Sequence, residues 1–225
     1  MNREPLMPRT LLASGTFVAA ICIVAPMPAA TSPTLAAPPP ALTAARARPP
    51  VDTGGAPYTA ADVHFMSGMI LHHAQAVLMA GWAPTHGASA SLRSLCERIV
   101  VGQRDEIVLM RRWLTGHHEA VPEVDPSHMM MPGMDPSMLM PGMLTAEQLG
   151  ELERARGRDF DRVFLRYMIQ HHQGAITMVN QLFAARAAGE EETVFRFAAN
   201  VFADQTTEIE RMQRMLADLL FERTN

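Results

Sequence analysis

The chain has 225 residues, 48% hydrophobic and 19% charged, a composition that excludes disorder throughout. The formal net charge is −4 and all 19 basic residues are arginine, which argues against a basic nucleic-acid surface and excludes lysine-dependent chemistry. Two cysteines, neither in a Cys-x-x-Cys pair, exclude a disulfide framework and thiolate-rich zinc or iron–sulfur sites. Methionine (18) and histidine (9) are in surplus, and their sulfur and imidazole donors suit soft transition metals.

The N-terminal region is predicted to direct export and to tether the folded domain. Two arginines precede an apolar run over residues 11–24, which proline and small residues follow, as in a secretory signal peptide. We expect a signal over residues 1–30, with cleavage near Ala30 or Ala37, and a flexible tether rich in proline and alanine over residues 31–57. The run is short for a permanent span, although an uncleaved anchor is the alternative. The mature protein is therefore expected in the periplasm or outside the cell.

The rest of the chain, residues 58–225, is predicted to form one all-α domain. Apolar residues recur at helical spacing, and no segment alternates as a strand does. Capping pairs, Thr59 with Asp62 and Thr145 with Gln148, mark two helix starts. The predicted parts are a helical hairpin over 59–115, a Met-rich loop over 117–144 and a second hairpin over 145–222.

Glycines and acidic residues predict where the helices of these hairpins end and begin. Gly116 is expected to cap the second helix. Gly157 is expected to interrupt the third, which then continues to about Ala188. Three consecutive glutamates at 190–192 favour the start of the last helix.

The two hairpins are copies of each other. Eight residues of the first helix recur identically 99 positions later, and six of the second helix recur 102 positions later. Each hairpin has one wide apolar face, so two of them are expected to bury each other in an antiparallel four-helix bundle with a pseudo-two-fold axis. Identical pairs include His72 and His171, His73 and His172, Met69 and Met168, Met79 and Met178, Met110 and Met212, and Glu106 and Glu208.

The paired histidines of each copy are predicted to face the bundle core. At about 100° per residue they share an apolar arc of roughly 120° with methionines before and after them. Imidazole with thioether suits copper, above all Cu(I), whereas carboxylate-poor surroundings disfavour magnesium, calcium or manganese. The alternative is that the methionines only fill the core and the histidines only form hydrogen bonds. The predicted metal ligands are Met69, His72, His73, Met79, Met110, Met168, His171, His172, Met178 and Met212.

Polar residues interrupt the apolar face of each second helix at equivalent positions. Gln103 and Glu106 do so in the first copy, and Gln205 and Glu208 in the second. A buried carboxylate is costly unless it meets a donor or a cation. We therefore expect each glutamate to contact a histidine opposite and to orient its imidazole from outside the ligand set.

The loop between the hairpins has seven methionines within residues 128–143. Its prolines and glycines disfavour a continuous helix, so turns are expected to present the thioethers. The loop is predicted either to cover the bundle as a hydrophobic lid or to act as a flexible set of soft ligands that captures or relays copper. The candidate loop ligands are His128, Met131, Met134, Met138, Met140 and Met143.

The paired His-His segments and the Glu-Ile-x-x-Met segments that follow them resemble the bacterial domain-of-unknown-function 305 family. The resemblance implies a ferritin-like four-helix fold and, from exported copper-binding members, copper binding or tolerance outside the cytoplasm through the His and Met residues named above. Met215 stands where the first copy has Trp113, so the two half-sites need not be equivalent. The matching stretches are Phe65 to Met79, Gln103 to Leu114, the Met131-Pro132-Gly133-Met134 type of loop, Phe160 to Met178, and Gln205 to Leu216.

These patterns together predict a non-catalytic, exported protein that sequesters copper or passes it to another copper-handling protein, and that could pair with a second copy. Neutral imidazole is needed for ligation, so the copper affinity is expected to fall below about pH 6.5. The alternatives are a structural or partner-binding bundle without metal, a b-type haem bundle, and a di-iron oxidase. The last is disfavoured because the chain has no Glu-x-x-His.

Overall fold

The computed structural model describes residues 57–125 and 139–221. The predicted signal peptide, nearly all of the tether and loop residues 126–138 lie outside them. Within the described residues all regular structure is helical, and no helix is both long and apolar enough to cross a membrane. The helices are α1 (Ala60–Gly81), α2 (Ala90–Gly116), the short α3 (Ala146–Arg154), α4 (Gly157–Ala184) and α5 (Glu192–Phe221).

Capping boxes open α1 and α3, as the sequence predicts. The Thr59 hydroxyl accepts a hydrogen bond from the backbone N–H of Asp62, and the Asp62 carboxylate accepts one from the N–H of Thr59. Thr145 and Gln148 form the same reciprocal pair ahead of α3. Each box satisfies backbone donors that the first helical turn leaves without a partner.

Two helix ends differ from the sequence prediction. Gly116 does not act as the cap, because α2 continues through it and the left-handed residue that follows is His118, with φ 59°. Histidine tolerates this conformation better than most non-glycine residues do. The second difference is that α4 ends at Ala184 rather than near Ala188, since the chain leaves the helix to reach a tight turn at Gly189, with φ 69°.

Two equivalent aspartates tie each hairpin to the other. Asp62 on α1 accepts a hydrogen bond from the backbone N–H of Gly189, ahead of α5, at 2.6 Å. Asp161 on α4 accepts from the backbone N–H of Ser89, the N-cap of α2, at 3.2 Å. Both carboxylates are buried, so these charge-assisted bonds fix the register of the two copies.

The four long helices form a bundle in which α1 packs on α2 and α4 packs on α5. The hairpins meet chiefly through α1 and α4, whereas α2 and α5 do not pack closely against each other. A groove therefore remains between α2 and α5. Cys96, on the buried face of α2, is a core residue, and burial raises its pKa to about 12, which keeps the thiol protonated.

Candidate metal centre

Four imidazoles occupy the interior of the bundle. His72 and His73 on α1 and His171 and His172 on α4 are each 0% exposed. The rings of His72 and His171 lie against each other, with 3.9 Å between centroids and an interplanar angle of 41°. Because these two histidines are equivalent in the two copies, the pseudo-two-fold axis passes between them.

The other two histidines turn away from this axis toward glutamates on the second helices. Nε2 of His172 donates a hydrogen bond to Oε2 of Glu208 at 2.7 Å. Nε2 of His73 lies 2.8 Å from Oε2 of Glu106, at ion-pair distance but without the direction of a hydrogen bond. A carboxylate can only accept, so in His172 the Nε2 proton faces the glutamate and Nδ1 keeps the lone pair.

Several buried imidazole nitrogens have no hydrogen-bond partner among the described residues. Nδ1 of all four histidines lacks one, and so do Nε2 of His73 and Nε2 of His171. Leaving a buried polar group unsatisfied costs about 1–3 kcal/mol, so such groups need an explanation. Histidines outside the repeats differ: His86 bonds to the carbonyl of Glu153 at 2.8 Å, and His117 to that of Trp113 at 2.8 Å.

Burial keeps the two inner imidazoles neutral. Desolvation, reinforced by the neighbouring His73, lowers the pKa of His72 to about 3, although the Pro141 carbonyl opposes the shift. Desolvation, followed by the influence of His72, holds the pKa of His171 well below its usual value. A neutral imidazole is the form that ligates a metal ion, so these two rings are ready to do so without losing a proton first.

The six predicted methionine ligands are all buried, but they do not converge on one point. They divide between two apolar clusters, and each cluster mixes residues of both copies. Cluster A contains Met69, Met110 and Met178, and cluster B contains Met79, Met168 and Met212. The crosswise division follows from the antiparallel contact of α1 with α4, which places the start of one helix beside the end of the other.

Sequence reasoning missed one buried methionine of cluster A. Met66 is 0% exposed and packs in that cluster. Its equivalent in the second copy is Leu165, so the duplication gave no signal for it. In cluster B the neighbouring extra methionine is Met215, which packs against the core in the second copy, as the departure from Trp113 indicated.

No group of three or more His, Cys, Asp or Glu side chains in residues 57–125 and 139–221 is arranged to hold one metal ion. The closest pair of equivalent nitrogen donors is that of His72 and His171. The interior thus offers two imidazoles in contact, with thioethers packed in the clusters around them.

The end of the Met-rich loop is fixed to the bundle by Gln75, a residue that sequence reasoning also missed. Its side chain is 1% exposed and forms two hydrogen bonds with the backbone of Leu144. Oε1 of Gln75 accepts from the N–H of Leu144 at 2.7 Å, and Nε2 donates to the carbonyl of Leu144 at 3.1 Å. Just before it, the carbonyl of Pro141 accepts a hydrogen bond from Nε2 of His72 at 3.0 Å. The loop thereby sets the tautomer of an inner histidine.

The equivalent of Gln75 in the second copy is Gly174, and the loop needs both. A Cβ on Gly174 would lie 2.0 Å from the Pro141 carbonyl oxygen and 2.5 Å from the Cα of Gly142. Gly142 itself has φ +77°, a conformation that favours glycine. The difference between Gln75 and Gly174 allows the loop to pack between α1 and α4. It also makes the two halves of the centre unequal.

Two candidate loop ligands fall within the described residues. Sδ of Met140 lies 3.1 Å from the position of a Cβ on Gly68, and the methyl carbon of Met178 lies 3.4 Å from the same position. Met140 therefore adjoins cluster A, while Met143 is half-buried in the turn that follows. His128, Met131, Met134 and Met138 lie outside the described residues.

Replacing Gly174 by alanine is expected to unseat the loop. The new Cβ would overlap the Pro141 carbonyl, and overpacking against backbone costs about 1–3 kcal/mol. We expect a loss of about 2–3 kcal/mol in the free energy of unfolding, measured by urea denaturation. Gly102→Ala is the matched control, since a Cβ there meets nothing within 4 Å and alanine favours a helix. Equal stability of G174A and wild type would contradict the close packing of Pro141 and Gly142 against Gly174.

A third carboxylate lies near the two glutamates that contact the outer histidines. Glu106 and Glu208 contact the two rings, and Asp204 lies near both glutamates. Partial burial, followed by the charges of Glu106 and Glu208, raises the pKa of Asp204. Packing of α5 opposite α2 therefore adds one carboxylate, which has no copy in the other hairpin, to the two glutamates that the sequence predicted opposite the histidines.

Residues 62–216 match the model of the family named Domain of unknown function (DUF305). The chain belongs to the DUF305 family. A DUF305 fragment from Deinococcus radiodurans is 30% identical, with a TM-score of 0.58 over 72% of this chain and 99% of that one. A DUF305 protein from Streptomyces coelicolor, named as a candidate secreted protein, is 26% identical, with a TM-score of 0.60 over 71% and 93%.

The DUF305 fold is also that of CopM. CopM in its Cu(II)-bound form is 26% identical to this chain, with a TM-score of 0.56 over 70% of this chain and 96% of CopM. CopM structures in Cu(I)-bound and silver-bound forms match as well. A comparison with curated proteins finds no match. The predicted family and the all-α bundle are confirmed.

Proposed function

We propose that this DUF305 protein is an exported copper-binding protein that sequesters the ion or hands it on, with Cu(I) favoured over Cu(II). The observation that carries the proposal is the contact between His72 and His171 in the bundle interior. Both rings are fully buried and keep Nδ1 without a partner. Two neutral nitrogen donors in a buried interior, with methionine thioethers among the apolar side chains of clusters A and B, are a donor set that selects a soft ion.

The proposed ligands are the imidazoles of both copies and the thioethers of clusters A and B. The methionines form two separate clusters, so copper bound by the inner histidines could take thioether ligands from either one. We propose that the ion moves between cluster A and cluster B by ligand exchange. Met140 beside Met178 supports a role for the loop in capture, since it adds a thioether at the edge of cluster A. CopM supports the choice of metal, because its structures hold Cu(I), Cu(II) and silver.

Export to the periplasm or the cell exterior is part of the proposal. It is supported by the basic and apolar pattern of the first 24 residues and by the name of the Streptomyces coelicolor relative. Outside the cytoplasm, a bundle without exposed thiols among its described residues could hold copper and pass it to another copper-handling protein.

Titration of the metal-free protein with Cu(I), Ag(I), Cu(II) and Zn(II), followed by native mass spectrometry, tests the proposal. We expect a defined stoichiometry for Cu(I) and Ag(I), because thioethers prefer soft monovalent ions. The absence of any defined stoichiometry would favour a structural or partner-binding bundle. A Soret band in the purified protein would instead favour haem.

The glutamates are proposed to orient the outer imidazoles, and their replacement tests this role. We expect Glu106→Gln with Glu208→Gln to weaken copper binding by about 10–100-fold, because an amide no longer fixes the tautomer of the ring. Competition with a chromogenic Cu(I) chelator measures the change. Glu210→Gln is the control, since Glu210 is exposed and its only ion pair among the described residues is with Arg214, at 4.0 Å. An unchanged affinity in the double variant would remove the glutamates from the proposal.

A further inference from the structure

A cavity beside the end of the Met-rich loop contains a histidine that the copper proposal does not use. Its volume is about 240 Å³, and α1, α4 and the loop residues Met140 and Pro141 line it. His64 on α1 is exposed and lines the cavity, and its ring forms no hydrogen bond or ion pair with any residue that the structure describes. An imidazole without protein partners at the rim of a cavity is a ligand open to the solvent.

Two thioethers reach the same cavity. Sδ of Met140 and the methyl carbon of Met178 lie 3.1 and 3.4 Å from one point, the position of a Cβ on Gly68. Gly68 follows His64 by four residues on α1, and Cβ atoms at this spacing are about 5–6 Å apart. One imidazole and two thioethers therefore surround a single space between α1 and α4. The described residues that line this space include no carboxylate.

The equivalent positions of the second copy carry other residues. Val163 stands in place of His64, and Tyr167 in place of Gly68. Tyr167 is 7% exposed, and its hydroxyl donates a hydrogen bond to Glu151 of α3. A tyrosine thus occupies in one copy the space that glycine leaves open to the loop in the other. Two departures from the duplication therefore coincide at this cavity.

We propose that His64, Met140 and Met178 form a copper entry site, which takes up one Cu(I) at the surface and passes it to the interior. This inference rests on the proposed function and adds a site to it. Imidazole with two thioethers is a donor set that selects a soft monovalent ion. The lining lacks the carboxylates that hard divalent ions prefer.

The entry site adjoins the interior centre through residues that belong to both. Met178 lines the cavity and also packs in cluster A, and it is 8% exposed, whereas its equivalent Met79 is 0% exposed. Pro141 lines the cavity too, and its carbonyl accepts the hydrogen bond from Nε2 of His72 at 3.0 Å. A Cu(I) ion would therefore exchange His64 for interior ligands while it stays bound to Met178.

The entry site is expected to hold Cu(I) more weakly than the interior does. Removing the carboxylate or carbonyl partner of a metal-ligating histidine costs about 10–100-fold in affinity, and the ring of His64 has no such partner in the described chain. A weak site at the surface speeds uptake without adding an ion that survives competition with a chelator.

The rate of Cu(I) transfer from a chromogenic chelator tests the entry site, under conditions in which this rate rises with protein concentration. We expect His64→Asn and Met140→Leu each to slow uptake by about tenfold or more and to leave the final stoichiometry unchanged. Leucine nearly conserves the volume of methionine, and asparagine has a helix propensity close to that of histidine. Uptake by both folded variants at the wild-type rate would overturn the proposal.

His118→Asn is the matched control for His64→Asn. His118 is exposed and lies outside the lining of the cavity, and its φ of 59° is one that asparagine tolerates. We expect this variant to take up Cu(I) at the wild-type rate. Slowing equal to that of H64N would overturn the proposal, because any exposed histidine would then serve.

NMR with Ag(I), a soft ion that does not change oxidation state, separates failure of this inference from failure of the copper proposal. Ag(I) should shift the ring signals of His64 and the methyl signals of its two methionines, both in wild type and in folded His72→Leu with His171→Leu. Shifts of interior methionines with none at the entry site would overturn the entry site and leave the copper proposal standing. Shifts at the entry site alone would support it and count against the interior centre, and no shift at either would overturn both.

Discussion

Replacement of His72, His73, His171 and His172 together by alanine is expected to abolish copper binding by the bundle. All four rings are fully buried, and each keeps Nδ1 without a partner, so their removal deletes every interior nitrogen donor proposed here. Removing the ligands themselves should weaken copper binding by more than the roughly 10–100-fold that is lost when a residue that only orients a ligand is replaced. Cu(I) competition and native mass spectrometry measure affinity and stoichiometry. Undiminished stoichiometry in the variant would remove the interior site.

Controls distinguish lost ligands from lost structure. His86→Ala with His117→Ala removes two histidines that are already hydrogen-bonded, and it should keep copper while losing some stability. The quadruple variant leaves cavities in the core, which are destabilising. His72→Leu with His171→Leu keeps more volume and removes only the inner pair. If this double variant folds, as judged by circular dichroism, and still binds copper like wild type, the inner pair is not the centre.

The free energy of unfolding of the metal-free protein is expected to fall by about 3 kcal/mol between pH 6.5 and pH 5. The pKa of His72 is lowered to about 3 and that of His171 well below its usual value, so both rings stay neutral in the folded protein. The unfolded chain takes up both protons below about pH 6.5. Each group then costs about 1.4 kcal/mol per pH unit, and stability falls as the pH falls. Urea denaturation at several pH values measures the slope.

The groups that face the inner rings are His73 and His172, which lie beyond direct reach of solvent. H72L/H171L is the control and should show a much flatter dependence over the same pH range. A wild-type slope no steeper than that of the double variant would show that the inner rings do not carry the acid sensitivity.

The lowered pKa values of His72 and His171 predict a different pH dependence for copper that these two rings hold. The ordinary pKa of histidine predicts that the affinity for copper declines below about pH 6.5. The inner rings remain neutral far below that value while the protein is folded. Acid release of copper from them should therefore follow unfolding, as measured on the same samples, rather than a histidine titration near pH 6.5.

The sequence determined the helices and which faces they bury. Threonine caps, apolar residues at helical spacing and the identity of two segments 99 positions apart are local or internal signals, and they predicted the bundle and the burial of His72 and His171. The same signals missed the end of α4, because the turn at Gly189 exists to reach Asp62 on another helix. Periodicity says nothing about a hydrogen bond across 127 positions.

Partner choice in the centre was decided by tertiary structure. Adjacent histidines on a helix point about 100° apart, so the sequence could bury both but could not say that His72 meets His171 while His73 meets Glu106. The methionines show the same limit, since they separated crosswise into two clusters only because α1 and α4 run antiparallel in contact.

The inequality of the two halves also lies beyond sequence pattern. Gln75 and Gly174 occupy equivalent positions, and a comparison of the copies shows only that they differ. In the fold, one binds the loop backbone and the other leaves space for it. Helical period and duplication fix which side chains turn inward, because they depend on neighbours along the chain. Which of those side chains touch depends on the register between helices far apart in sequence, and that is set only when the whole bundle packs.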